Sequence, residues 1–242
     1  MTASPTIKRI LLKLSGEVLR RGDEALSGEV LAEMASSIAE LRAAGLEIGV
    51  VIGGGNIFRG LSGAEKGVGR AQGDSMGMLA TTINALALQN ALDAAAVPSK
   101  LFTATPMPAV APLFTHRAAR EALAGGAVGL FAGGTGNPFF TTDSAAALRA
   151  AEIGADALVK ATKVDGVYTA DPKKDPTAVK CDRLTYEEAL SKRLRIMDAS
   201  AFAICRDNAI PILVLDFFEK GAMMRAVTTG GAGTWITDHP QP

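Results

Sequence analysis

Short apolar runs alternate along this chain with stretches in which apolar residues recur every three or four positions. Residues 7–14 form a compact run broken by Lys8, Arg9 and Lys13, which predicts a buried strand. Leu31, Met34, Ala35, Ile38 and Leu41 follow at helical spacing, with Ser27 placed as N-cap and Gly45 placed to stop the helix. A second strand is predicted at 48–52, and an apolar Ala/Leu/Met helix at about 75–95 with Asp74 or Ser75 at its start. A short strand near Leu101, a Pro-rich turn and a helix opened by Thr115 come next. The pattern then predicts a strand at 127–131, a glycine-rich loop at 132–141 and a helix at 142–153. After these come a strand at 157–161 and a polar loop to about 183. Thr185 and Glu188 have capping-box spacing, Asp198 can cap a further helix, 212–215 reads as a strand, and 234–237 as a closing edge strand. This alternation predicts a single α/β domain over 1–242, with an open, mainly parallel sheet sandwiched between helices.

Four of the predicted strands end in unusual loops, the place where open α/β sheets bind ligands. Lys13-Leu14-Ser15-Gly16 puts a cation and bare amides at one strand end, although an edge lysine before a plain turn has the same sequence. Gly53-Gly54-Gly55-Asn56, with Arg59 and Gly60 beyond, removes Cβ atoms where a backbone must approach another group, or simply turns tightly. The segment 133–143, Gly-Gly-Thr-Gly-Asn-Pro-Phe-Phe-Thr-Thr-Asp, leads into a helix N-terminus, a natural anion site. Its Phe139 and Phe140 are expected to wall a pocket for a planar group, while Thr142 or Asp143 can serve as an ordinary N-cap. Lys160-Ala-Thr-Lys-Val-Asp-Gly-Val-Tyr168, followed by Asp171-Pro172, ends a strand and offers Tyr168 to cover a flat base.

Composition narrows the chemistry. With 25 Lys+Arg against 25 Asp+Glu, the chain has no general attraction for a nucleic-acid polymer or an anionic membrane, so an anion site has to be local. Glycine is over-represented, at 26 of 242 residues. Cys181 and Cys205 are far apart, which suits a reducing cytoplasm, and His116 and His239 are too few for a histidine metal site. The chain has no Gly-Lys dipeptide, and therefore no Walker loop; it also lacks G-x-G-x-x-G and H-E-x-x-H.

Taken together, segments 8–17, 49–60, 73–81, 133–145 and 160–172 resemble the amino acid kinase family, a Rossmann-like three-layer fold, and within it the bacterial uridylate (UMP) kinases. The resemblance implies transfer of the ATP γ-phosphoryl group to UMP, with Mg²⁺ held mainly by the nucleotide phosphates. By matched position it implies ATP contacts from Lys13, Ser15, Gly16, Gly55, Arg59, Thr162, Tyr168 and Asp171. UMP contacts would come from Gly54, Asp74, Thr135, Gly136, Asn137, Pro138, Phe139, Phe140, Thr141 and Thr142. Catalytic roles fall to Lys13, Asp143 and Lys160. The UMP site would lie in the N-terminal part and the ATP site in the C-terminal part.

The resemblance further implies a cytoplasmic homohexamer with GTP as activator and UTP as inhibitor. Residues 20–30 depart from the Gly-Phe-Gly-Ile-like stretch of GTP-activated relatives. The helix at 75–95 suits either a subunit interface or a buried core. Carbamate, acetylglutamate and aspartate kinases share the fold but not the 134–143 segment, and a nucleotide-binding storage protein would not need the intact lysines and aspartates.

Overall fold

The run at 7–14 is strand β1 (Arg9–Leu14), and it becomes the middle of the sheet. In this computed structural model residues 7–58, 67–170, 172, 174–192, 194 and 196–238 are described. The other principal strands are β2 (Glu47–Ile52), β3 (Ser99–Thr103), β4 (Val128–Ala132) and β5 (Ala157–Thr162). A small hairpin, β6 (Val167–Tyr168) and β7 (Lys180–Cys181), precedes β8 (Arg183–Leu184), β9 (Ile212–Asp216) and β10 (Thr234–Ile236). The eight-stranded sheet has the order β3-β4-β2-β1-β5-β9-β10-β8. Its strands from β3 through to β9 are all parallel, while β10 runs antiparallel to β9 and parallel to β8.

Near-continuous apolar strands need cover on both faces, and helices supply it. Helices α1 (Gly28–Ala43), α2 (Arg70–Ala94) and α7 (Ala222–Thr229) close one core with Ile10, Leu12 and Leu14. Helices α3 (His116–Ala124), α4 (Thr142–Ile153), α5 (Tyr186–Ser191) and α6 (Ala199–Asp207) close the other with Leu11, Val51 and Leu158. The three-layer α/β expectation holds. After β1 the chain builds one half of the sheet, and from β5 it builds the other. The carboxyl ends of β1, β2, β4 and β5 therefore converge at the point where the winding direction reverses.

Most of the expected caps are present. Thr115 accepts from Ala118 N, Thr185 and Glu188 form the reciprocal capping box, and Asp198 accepts from Ala201 N. Four expectations change. Helix α2 starts at Arg70 after Gly69, so Asp74 is not its N-cap but lies in its second turn. The N-cap of α4 is Thr141, whose hydroxyl accepts from Asp143 N and Ser144 N, rather than Thr142 or Asp143. Ser27 stands at the N-cap position of α1 but makes no side-chain cap bond. The strand at 234–236 is not an edge: β8, only two residues long, lies outside it.

Candidate active site

Alternation along β1 and β5 decides where the two lysines point. Lys13 shares a face with Leu11, and Lys160 with Leu158, the face covered by α4. The two lysines are also direct neighbours, because β1 and β5 pair with Lys13 opposite Lys160. Asp143, in the first turn of α4, descends between them. Its Oδ1 is 2.6 Å from Lys13 Nζ, and its Oδ2 accepts a 3.1 Å hydrogen bond from Lys160 Nζ. The Lys13 contact is one of charge and distance, since Oδ1 has no partner at hydrogen-bonding angles. Lys160 also donates to the Ile196 carbonyl.

Burial, and after it the adjacent Lys13 charge, lowers the pKa of Lys160; Asp143 and Asp198 oppose this without cancelling it. Two cations held half-dry beside one carboxylate are one negative charge short of balance. That is a site prepared for an anion.

Two clefts flank this cluster. The first, about 350 Å³, lies between α2 and the loop from 133 to 142; Gly54, Arg70, Asp74, Thr135, Phe140 and Thr142 are among its lining residues. The second, about 530 Å³, is bounded by Lys160, Thr162, Val164, the β6 hairpin with Tyr168, and Leu194 and Ile196 opposite. Thr142 reaches the first cleft, its neighbour Asp143 holds the lysines, and Lys160 opens onto the second.

The glycine loops are close-packed as well as permissive. A Cβ on Gly54 would come within 2.7 Å of Gly77 O and 2.8 Å of the Ala80 Cβ, and one on Gly16 would overlap Gly53 O and Asn56 Oδ1. Replacing Gly54 by alanine should therefore push α2 away and cost about 1–3 kcal/mol, read as a lower denaturation midpoint. An unchanged midpoint would show that the approach is not tight. Gly133, Gly134 and Gly136 all have positive φ, from 60° to 80°, which explains glycine at those three positions.

Helix α2 pins both loops. Asn84 Nδ2 donates to Gly53 O (2.6 Å) and Asn56 Oδ1 (2.7 Å), while Asn56 Nδ2 returns a bond to Asn84 Oδ1 (3.0 Å). Thr81 Oγ1 accepts from Gly133 N at 2.8 Å. Asp74 Oδ2 accepts from Phe139 N and from Arg70 Nε, each at 2.8 Å. Phe139 is thereby held at φ 72°, a left-handed conformation unusual for a bulky residue and a mark of local strain.

Most residues expected at a site come together here, with some reassignment. Gly54, Asp74, Thr135, Asn137, Phe140, Thr141 and Thr142 line the first cleft, and Gly55, matched by resemblance to ATP contact, lines it too. Phe139 does not form the pocket wall: it is two-thirds exposed and lies under Arg70, and only Phe140 faces the cleft, joined by Phe58. Gly136 and Pro138 shape the loop without lining either cleft.

Lys13, Ser15 and Gly16 likewise lie beneath the clefts rather than on their walls, with Ser15 capping the short 3₁₀ turn Gly16–Leu19. Thr162 and Tyr168 line the second cleft. Tyr168 donates its hydroxyl to Asp165, which also pairs with Lys180. Arg59, Gly60 and Asp171 lie outside the described residues.

Sequence reasoning missed Arg70 and Asn84. Arg70 precedes Asp74 by one helical turn, a spacing that could have flagged it. Asn84 looks like any helix residue, and only its burial sets it apart.

The model of the amino acid kinase family matches residues 8–216. The uridylate kinase of Agrobacterium fabrum is 54% identical over 240 residues, covering 98% of this chain and 99% of that one. That of Rhizobium meliloti is 54% identical over 241 residues, covering 99% and 100%. Among solved structures, the UMP kinase from Bacillus anthracis superimposes with a TM-score of 0.93 at 36% identity, over 98% of both chains. That from Ureaplasma parvum gives 0.90 at 33%, over 96% of this chain and 99% of that one. With the two-cleft geometry, these likenesses establish that the chain belongs to the amino acid kinase family, among its uridylate kinases.

Proposed function

We propose that this single-domain protein transfers the γ-phosphoryl group of ATP to UMP, giving UDP and ADP in pyrimidine nucleotide synthesis. The observation that carries this reading is the Lys13–Asp143–Lys160 cluster at the junction of two nucleotide-sized clefts. UMP occupies the cleft of the N-terminal part, between α2 and the 133–142 loop. Asp74, Thr135, Asn137, Phe140, Thr141 and Thr142 contact it there, with Arg70 added to the expected set. ATP occupies the cleft of the C-terminal part, with its base against Tyr168 and its phosphates toward Lys160 and Thr162.

Phosphoryl transfer asks little covalent chemistry of the protein. Lys13 and Lys160 neutralise the charge on the migrating group, and Asp143 keeps their ammonium groups apart and aimed. The attacking phosphate oxygen of UMP is already anionic, so no general base is required. Gly16 and the 53–55 loop hold their amides without reorganisation at the moment of transfer.

A divalent cation, Mg²⁺ in this reading, offsets the charge of the ATP phosphates. In this reading the ion is carried mainly by the phosphates; among the described residues no cluster of three or more His, Cys, Asp or Glu could hold a metal ion.

Met76, Leu79, Ile83 and Leu86 form an exposed apolar row on α2, which supports self-association, in this reading as a homohexamer. GTP activation and UTP inhibition belong to the same reading, as does a cytoplasmic location, which the two free cysteines support. Among the described residues no helix is long and apolar enough to cross a membrane.

The direct test measures ADP release from Mg-ATP with UMP, CMP, dUMP, carbamate or acetylglutamate offered separately. Turnover with UMP, well above that with the other four, is expected. Absence of turnover with every nucleotide would leave a nucleotide-binding protein without kinase activity.

A further inference from the structure

Two helices begin side by side next to the lysine pair. Thr141 caps α4, Asp198 caps α6, and the two caps are joined, since the Thr141 hydroxyl donates to Asp198 Oδ2. The same oxygen accepts from the buried Ser144 hydroxyl at 2.8 Å. Asp198 Oδ1 accepts from Ala201 N at 2.8 Å and from Ser200 Oγ at 3.1 Å, and Ser200 Oγ is 2.9 Å from Ser144 Oγ. A half-buried carboxylate therefore takes up to four donors, three of them side chains that a helix cap alone does not need. Burial pushes its pKa up, but these hydrogen bonds outweigh that and hold it below the usual carboxylate range, so it is charged at neutral pH.

The backbone just before this cap delivers the Ile196 carbonyl to Lys160 Nζ. The charged groups facing Lys160 are Lys13 from β1, Asp143 from α4 and Asp198 from the start of α6. Its β9 register neighbour is the uncharged Val214, and Lys192 lines the same cleft. Lys13 and Lys160 carry two positive charges and Asp143, in contact with both, one negative; Asp198 acts on Lys160 without touching it and more weakly than Asp143.

We propose that Asp198 is a positioning residue for phosphoryl transfer: it fixes the first turn of α4, and with it Asp143, and its charge adds to that of Asp143 in stabilising the Lys13–Lys160 pair. This rests on the reading of that pair as the phosphoryl-transfer centre. The sign of the effect is fixed by electrostatics. Removing a negative charge near a lysine already depressed by burial makes it lose its proton at lower pH, so an activity that needs the ammonium form fails earlier as pH rises.

The test compares kcat against pH, at saturating Mg-ATP and UMP, for wild type, Asp198→Asn, Asp198→Ser and Ser200→Ala. Asparagine and serine are both strong N-caps, so α6 retains its first turn. In both neutral variants the basic limb should move down by roughly one pH unit, and kcat at neutral pH should fall about ten-fold, with KM for either nucleotide within about three-fold. Ser200→Ala keeps the charge and should leave the limb in place.

An unmoved limb in Asp198→Asn, whatever its thermal midpoint, overturns the proposal. So does an equal shift in Ser200→Ala, or failure of both neutral variants to fold, because the assigned role needs only a neutral cap for folding. A wild-type protein inactive on UMP would instead refute the reading on which the proposal rests.

Discussion

Replacing Lys13 by alanine should cut turnover with UMP by about a thousand-fold and change KM for UMP by less than about three-fold. Lys13 lies below the clefts rather than on their walls, so ground-state binding of the nucleotide loses little. The transition state loses one of two cations arranged around the migrating group, and that interaction matters most when charge is shared between donor and acceptor. The fold should tolerate the change. Lys13→Ala removes a like-charge neighbour from Lys160 and leaves Lys160 and Asp143 as a matched pair at 3.1 Å. The thermal midpoint should therefore move little while activity collapses. Near-normal turnover, or a KM rise that accounts for the whole loss, would remove Lys13 from the role assigned to it.

Asn84→Leu should act in the opposite way, on the frame first and on chemistry through it. Asn84 is fully buried and exchanges hydrogen bonds with Asn56 while donating to Gly53 O. Leucine supplies similar volume but leaves the Gly53 carbonyl and Asn56 Oδ1 without that donor in a site closed to water. Unsatisfied buried groups cost about 1–3 kcal/mol each, so a loss of about 2–4 kcal/mol is expected. For a domain of this size that lowers Tm by roughly 4–16 °C. The glycine loop it anchors should loosen as well, raising KM for UMP. A Tm within about 1 °C of wild type would mean that the amide pair contributes nothing net.

The parts of this architecture that could be read from the chain share one property: strong local contrast. An apolar run meeting glycines, as at 48–55 and 127–136, marks both the strand and the loop it feeds. The start of α2 had no such contrast. Its first turn, Arg70 to Gly73, borders the cleft rather than the core, so no apolar periodicity reports it, and Asp74 reads as a cap. Strand β8 is two residues long, too short for any period, which is why β10 looked like the edge.

At the site, residue type revealed the lysines and the glycine loops. Asn84, Arg70 and the second task of Asp198 depend on which elements pack together, and spacing along one segment carries no record of that. Phe139 and Phe140 are adjacent and chemically identical, yet one turns outward because Asp74 holds its amide.

The pairing of Lys13 with Lys160 across β1 and β5 also bears on how the sheet finds its alignment. Side chains alternate between faces, so sliding β5 by one residue would turn Lys160 toward α1 and α2, among Ile10, Leu12 and Leu14, far from Asp143. A lysine buried there without a counter-ion is among the costliest errors a core can hold. The residues placed for phosphoryl transfer thus penalise the nearest misalignment of the two central strands, and a chain that buries this sheet well has, by the same act, assembled its reaction centre.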